Sequence, residues 1–308
     1  MIVSENDKKR KIFICTTFRD FNGTENDEIQ KFFLKSLKNQ TYQNFELVVT
    51  IFKEKNVENK IKEFNLPVKF YYDSSQDYKY SHTEVLLNCI KEADNMLFNA
   101  IIVWTTADVI FENNFFEIIN NYLSQNGVAI IHPHYIYRSI NDFIKNSNSI
   151  LTLRSGMDVI VFDGFLFYNK NILEDIKKYK NVNWGLFEHF LCALGFLYAK
   201  KRINLFYKTK VKKIINNLSI LQEAMPIADP RNIDSFKKFL KEKHLSYDFF
   251  YLFKCNKIFD IYDGNKLKYY WELKNYFFTK DFLFSLIPKR LKFLLKDLFF
   301  KKIKRYEN

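Results

Sequence analysis

Glycine and proline are scarce, at 7 and 5 among 308 residues. So little of either excludes collagen-like, low-complexity and glycine-rich-loop architectures. The four cysteines, Cys15, Cys89, Cys192 and Cys255, lie far apart and form no C-x-x-C pair. They read as ordinary buried thiols of a reducing compartment. No stretch reaches about 18 uninterrupted apolar residues, and the most apolar one, Leu186 to Ala199, is broken by Glu188 and His189. A membrane span is therefore not expected, nor is a signal peptide, since no small-residue cleavage site follows the charged N-terminus. Neither G-x-G-x-x-G nor G-x-x-x-x-G-K-[ST] occurs, which removes the main support for a dinucleotide oxidoreductase or a P-loop NTPase. A serine hydrolase lacks its G-x-S-x-G elbow.

What is present is apolar and basic. Hydrophobic residues make up 47% and charged ones 27%, with a net charge of +13, so the chain can bury a sizeable core. Its 34 Phe and 19 Tyr follow strand and helix periodicity and are mostly core. A nucleic-acid-binding reading of the basic charge and the aromatics finds no RNA-binding signature to support it, and no nucleic-acid partner is expected.

Lys11 to Phe18 is a β-branched and aromatic run that opens into polar residues, the mark of a buried strand ending in a loop. A helix with Ile29, Phe32, Phe33 and Leu37 on one side follows, then a strand over Glu46 to Phe52. Val68 to Tyr72 and Ala100 to Trp104 are further strands, separated by a helical pattern over Glu84 to Phe98. After Asp108 come a helix candidate at Asn114 to Leu123, strands at Val128 to Ile131 and Val159 to Phe162, a polar stretch at Asn141 to Ser149, and an apolar helix near Trp184 to Tyr198. Strands alternating with helices of this length imply βαβ units and an α/β fold with a mostly parallel, Rossmann-like central sheet.

From about residue 220 the chain turns Lys-rich, with Pro226, Pro230 and Asp263-Gly264 between helical patches. The expected division is a domain over 1–220 and a helical basic region over 221–308. Within it, Leu291, Leu294, Leu295 and Leu298 fall on one arc after Pro288, surrounded by lysines and arginines. Such a helix suits the surface of an anionic membrane, or packs on the domain with a solvated basic face.

The segment Ser36-Leu37-Lys38-Asn39-Gln40-Thr41-Tyr42-Gln43-Asn44-Phe45-Glu46-Leu47 resembles the S-[LI]-x-x-Q-T-Y-x-N-[FW]-E-[LI] stretch of the large inverting nucleotide-sugar glycosyltransferase family with the GT-A fold. Asn88, Ile90 and Ala93 resemble that family's N-x-[GC]-I-x-x-A helix, and Ile101 to Asp108 resembles the strand ending in its metal-binding D-x-D. The resemblance covers about residues 11 to 200. It implies transfer of a sugar from a nucleoside-diphosphate donor to a growing polysaccharide or lipid-linked glycan. With the lone thiols and the basic C-terminal tail, it points to a cytoplasmic protein held by that tail at the inner face of the plasma membrane.

By the same resemblance Asp108 binds a divalent metal, Mn²⁺ or Mg²⁺, that neutralises the leaving diphosphate. The first acid of the motif is replaced by Thr106, however, so the metal is held by Asp108 with the diphosphate and waters, or basic residues stand in for it. Thr16 and Thr17 match the family's position near the nucleoside, and Asp73 is a candidate contact to the base. Thr50-Ile51-Phe52-Lys53 stands where the family carries Asp-Asp-Gly-Ser, so that contact is made differently. Trp184-Gly185-Leu186-Phe187-Glu188-His189 resembles the segment carrying the general base, which makes Glu188 the expected base, with His189 on the acceptor side as the alternative to it. Asp158 and Asp163 are further carboxylates on the acceptor side. Each of these acids also has a plainer reading, as a turn or helix-capping residue. A non-catalytic scaffold of the same fold is the alternative for the whole chain. His132 and His134, either side of Pro133, read as a turn or acceptor-site pair, since no third metal ligand lies near them in sequence.

Overall fold

The structure is a computed structural model. It describes residues 9–245 except 20, 53, 55, 74–81, 132, 138, 148–149, 152–157, 183–186, 204, 206–207 and 215–229. The expected basic helix at 288–305 and the Trp184-Gly185 pair lie outside the described residues.

Seven strands form the central sheet: β1 (Lys11–Thr16), β2 (Phe45–Ile51), β3 (Val68–Tyr72), β4 (Ala100–Thr105), β6 (Gly127–Ile131), β9 (Val159–Asp163) and β10 (Lys201–Ile203), in the order β10-β6-β9-β4-β1-β2-β3. All neighbours pair parallel except β9, which runs antiparallel to both β4 and β6. This is the α/β arrangement expected from the sequence, a mostly parallel sheet with helices on its faces. A second sheet, in the order β5-β11-β7-β8, joins β5 (Val109–Phe111), β7 (Tyr135–Tyr137), β8 (Ile150–Leu151) and β11 (Val211–Ile214). The sequence reading did not foresee it.

Both faces of the central sheet are buried, which is why its strands read as continuous apolar runs. Alternation sends Phe13, Cys15, Ile102 and Trp104 to one face and Ile12, Ile14, Ile101 and Val103 to the other. Helices α3 (His82–Ala93), α6 (Lys170–Lys178) and α7 (Phe187–Tyr198) cover the first face. Helices α1 (Glu25–Lys38) and α4 (Phe115–Tyr122) cover the second. Two shorter helices, α2 (Val57–Lys62) and α5 (Ile140–Lys145), fill connections.

Helix α5 occupies the stretch expected to be a polar connection. It exists because Ser139 caps it, its hydroxyl accepting from the Asp142 amide at 3.1 Å, and Asn146 ends it in the left-handed region at φ 49°. Helix α8 (Pro230–Glu242) lies past the expected boundary at residue 220, yet Phe236, Phe239 and Leu240 are buried in the core of the first face. Phe239 meets Tyr179 and Phe190 with ring centroids 5.0 and 4.8 Å apart. Each such side chain, fully buried, contributes roughly 1.5–3 kcal/mol.

The segment that carries the family resemblance is a bolt. The Gln40 amide, 3% exposed, donates to the carbonyl of Glu112 at 2.8 Å and accepts from the Phe116 amide at 3.0 Å. The Thr41 amide donates to the Asn113 carbonyl at 2.7 Å, and the Tyr42 hydroxyl to the Arg10 carbonyl at 2.6 Å. The end of α1 is thereby fixed to the turn between β5 and α4. Asn88 has a similar task, its amide donating to the Thr50 hydroxyl at 3.1 Å and tying α3 to the end of β2.

Candidate active site

The carboxyl ends of β1, β2, β3 and β4 share one edge of the central sheet, the edge where doubly wound sheets bind ligands. Because β9 is reversed, its first residue reaches the same edge, with Val159 paired to Thr105. Thr16, at the end of β1, is buried, and the Thr17 hydroxyl donates to the Thr50 carbonyl at 2.9 Å. The Asp73 amide donates to the Ile51 carbonyl at 2.9 Å and prolongs the pairing of β3 with β2.

Asp108 follows β4 in a two-residue turn. The Thr106 hydroxyl donates to Asp108 Oδ1, so the threonine in place of the motif's first acid acts as a partner of the second. Strand β5 begins at the next residue and pairs antiparallel with β11, with Val109 opposite Lys213, and the Ile214 amide donates to the Asp108 carbonyl at 3.2 Å. Alternation along β11 then separates its two lysines. Lys212 turns toward Phe143, its ammonium 5.8 Å from the ring centre. Lys213 turns the other way, its Nζ 3.3 Å from Asp108 Oδ2 and 2.5 Å from Asp158 Oδ1.

The lysine bridges the two carboxylates nearest the end of β4. Its side chain is 12% exposed and that of Asp158 9%, whereas Asp108 keeps 26% of its surface open. The strand that delivers it is firmly seated. His134 brackets its first residue, the amide donating to the Val211 carbonyl at 2.7 Å and Nδ1 accepting from the Val211 amide at 3.2 Å. The Glu112 carboxylate accepts from the Lys210 amide at 3.0 Å, which carries the Gln40 bolt through to β11. His132 lies outside the described residues.

Glu188 and His189 are half-buried in the first turn of α7. Phe187 sets that turn against β4, its ring 5.6 Å from Trp104 and stacked at 5.6 Å on His82. Further along α7, Gly195 lets the helix approach β6 closely, since a Cβ there would stand 3.0 Å from Val128 Cγ2. Burial pushes the Cys192 thiol well above its ordinary value, and the Glu188 carboxylate, one turn away, adds to the shift. Burial alone holds the His82 imidazole down to about 4, so it is neutral near pH 7.

Asp163, grouped with Asp158 by the sequence reading, stands at the other end of β9 and hence at the opposite edge of the sheet, paired with Ile101 near the start of β4. The antiparallel course of β9 separates the two acids. There Asp163 accepts from the Asn126 amide at 2.5 Å and faces the Arg10 guanidinium at 3.8 Å. Burial raises its carboxyl above the usual range, against those two partners.

The side chain that sequence reasoning missed is Lys213. Its strand is four residues long within Lys208-Thr209-Lys210-Val211-Lys212-Lys213-Ile214, where no apolar alternation marks one lysine out. The missing acid at Thr106 was the available signal, since a lone carboxylate asks what neutralises the charge it should help to neutralise.

The family resemblance implies a divalent metal, for which this donor set is poorly suited. Mg²⁺ or Mn²⁺ prefers several oxygen ligands, but a lysine ammonium offers three donors and no lone pair. At about 4 Å and an effective dielectric of about 20, that ammonium repels a divalent ion by on the order of 8 kcal/mol, which cancels the attraction of one of the two carboxylates beside it. No group of three or more His, Cys, Asp or Glu side chains suited to a metal occurs among the described residues. The residues as arranged do not fit the metal.

No family model and no curated protein matches the sequence. Among solved structures the chain is similar to S. aureus TarS 1-349, with a TM-score of 0.47 and 12% identity over 66% of this chain and 60% of that one. It is similar to the mannosyltransferase PcManGT from Pyrobaculum calidifontis in complex with GDP-Man and Mn²⁺, with a TM-score of 0.41 and 11% identity over 67% and 56%. GalNAc-T7 with UDP, GalNAc and Mn²⁺ gives a TM-score of 0.45 and 9% identity over 78% and 50%. The matched part spans between half and three fifths of these three structures. No helix among the described residues is long and apolar enough to cross a membrane.

Proposed function

We propose that the protein is a glycosyltransferase that moves a sugar from a nucleoside-diphosphate donor to a hydroxyl of a glycan or lipid-linked acceptor, with inversion. The observation that carries this reading is the meeting, at one sheet edge, of Thr16, Thr17, Asp73 and Asp108, the residues to which the family resemblance assigns the donor. In this reading Thr16 and Thr17 flank the nucleoside and the diphosphate lies beside Asp108. Glu188 removes the proton from the acceptor hydroxyl as its oxygen attacks the anomeric carbon. The bond to the diphosphate oxygen breaks on the opposite side, and the leaving group takes the electron pair.

The test is a thermal-shift screen of the full chain against UDP, GDP, CDP and their sugars, followed by product analysis with the stabilising donor. A ligand at about 100 times its Kd stabilises the fold by roughly 2.7 kcal/mol. Stabilisation by one nucleotide class together with sugar transfer is the expected result. A chain that no nucleotide stabilises is not a transferase of this kind.

A further inference from the structure

We infer that Lys213 is a built-in cation that occupies the place of a divalent metal beside the donor diphosphate, so that the site works without one. The inference rests on the transferase reading for its ligand but on this chain's own geometry for its substance. Three observations converge on it. The motif position that should supply a second metal ligand is Thr106, and its hydroxyl is spent on Asp108 Oδ1. The ammonium lies 3.3 Å from Asp108 and 2.5 Å from Asp158, bridging two acids that come from different segments. The strand that carries it is held in register from both sides, by β5 and by β7, and at its start by His134.

A cation fixed in this way differs from a bound metal in charge and in permanence. A lysine is a compact point charge suited to phosphate oxygens, and it cannot be removed by chelation. Asp108 and Asp158 serve as its holders: they desolvate and orient the ammonium, and Asp108, the more open of the two, leaves the diphosphate a path to it. These are positioning roles, with Lys213 the group that meets the leaving diphosphate. When the bond to the anomeric carbon breaks, the charge gathers on a diphosphate oxygen and the ammonium stabilises it with no proton or metal exchanged.

Two experiments decide the matter separately from the donor's identity. The first titrates Mn²⁺ alone into the full chain and follows the electron paramagnetic resonance of the free ion. Wild type should leave the signal unchanged, while Lys213→Ala, its two acids now unpaired, should take up one equivalent that Asp108→Asn abolishes. Uptake of one equivalent by wild type, lost in Asp108→Asn, overturns the inference. So does a folded Lys213→Ala that takes up none. Lys213→Met, which keeps the stem, repeats the comparison if the alanine variant fails to fold.

The second experiment measures UDP, GDP and CDP binding in EDTA and in Mn²⁺. The affinity should be equal in both, should fall roughly 10- to 100-fold in Lys213→Met, as for the loss of one charge-assisted contact, and should be largely kept in Lys213→Arg. Binding that appears only with Mn²⁺ overturns the inference. If none of the three nucleotides binds under either condition, the transferase reading fails, and the Mn²⁺ titration still decides the place of the lysine.

Discussion

The two edges of the central sheet each hold a buried aspartate beside a basic side chain, but to different ends. At the opening of β4, Asp163 is almost wholly enclosed, accepts from a backbone amide and faces Arg10 across 3.8 Å. At the close of β4, Lys213 spans Asp158 and the partly open Asp108. The first arrangement neutralises a charge that the fold has buried. The second adds a carboxylate, Asp108, that keeps 26% of its surface open, although its lysine, at 12%, is no more exposed than Arg10. Equal-looking ion pairs thus differ in the partner they leave open, and the exposure of Asp108 tells them apart.

The comparison is broken most sharply by the substitution with the largest expected effect. Glu188→Gln should lower turnover by about two to four orders of magnitude and leave nucleotide affinity intact. Single-turnover kinetics beside equilibrium binding checks this, and retained turnover would remove Glu188 from the base's role. At the far edge, Asp163→Ala should cost about 3 kcal/mol of stability, since it leaves the Asn126 amide without its charged acceptor while Arg10 keeps the Asn120 carbonyl. Denaturant unfolding measures it, and nucleotide affinity of the folded fraction should not change.

A third prediction concerns acid. His82 is held down to about 4 while an unfolded imidazole titrates near 6.5. The unfolded chain therefore binds the extra proton between these values. Stability is fully present above about pH 6.5 and falls as pH drops toward 4, by about 3 kcal/mol in total. Asp163 works in the opposite sense, because its raised carboxyl favours the folded state as pH falls. Urea midpoints for wild type and His82→Leu between pH 7 and 4 should show the slope flattened in the variant. The smallest effect expected is that of Gln40→Ala, about 1–3 kcal/mol, which leaves the Phe116 amide and the Glu112 carbonyl without their bolt.

The sequence made the central strands legible because both faces are buried, and runs such as Ala100–Thr105 admit few other readings. It led to Asp108 through the strand that ends beside it. It grouped Asp158 with Asp163 because proximity in sequence says nothing of direction, and only the reversed pairing of β9 reveals that they part. Lys213 was invisible for a related reason. Its importance comes from the register of β11 against β5, a contact between segments about a hundred residues apart that leaves no local pattern. The second sheet was missed with it, being made of strands of two to four residues.

The late position of β11 in the chain has a consequence for synthesis. Asp108 leaves the ribosome first and Asp158 follows, but Lys213 emerges 55 residues after Asp158. At about 5–20 residues per second that is a delay of several seconds. During it the growing chain carries two uncompensated carboxylates at an edge that the lysine will later bridge. A ribosome-bound chain stopped before Val211 is therefore a species with an open pair of acids, and the arrival of β11 is the event that closes it.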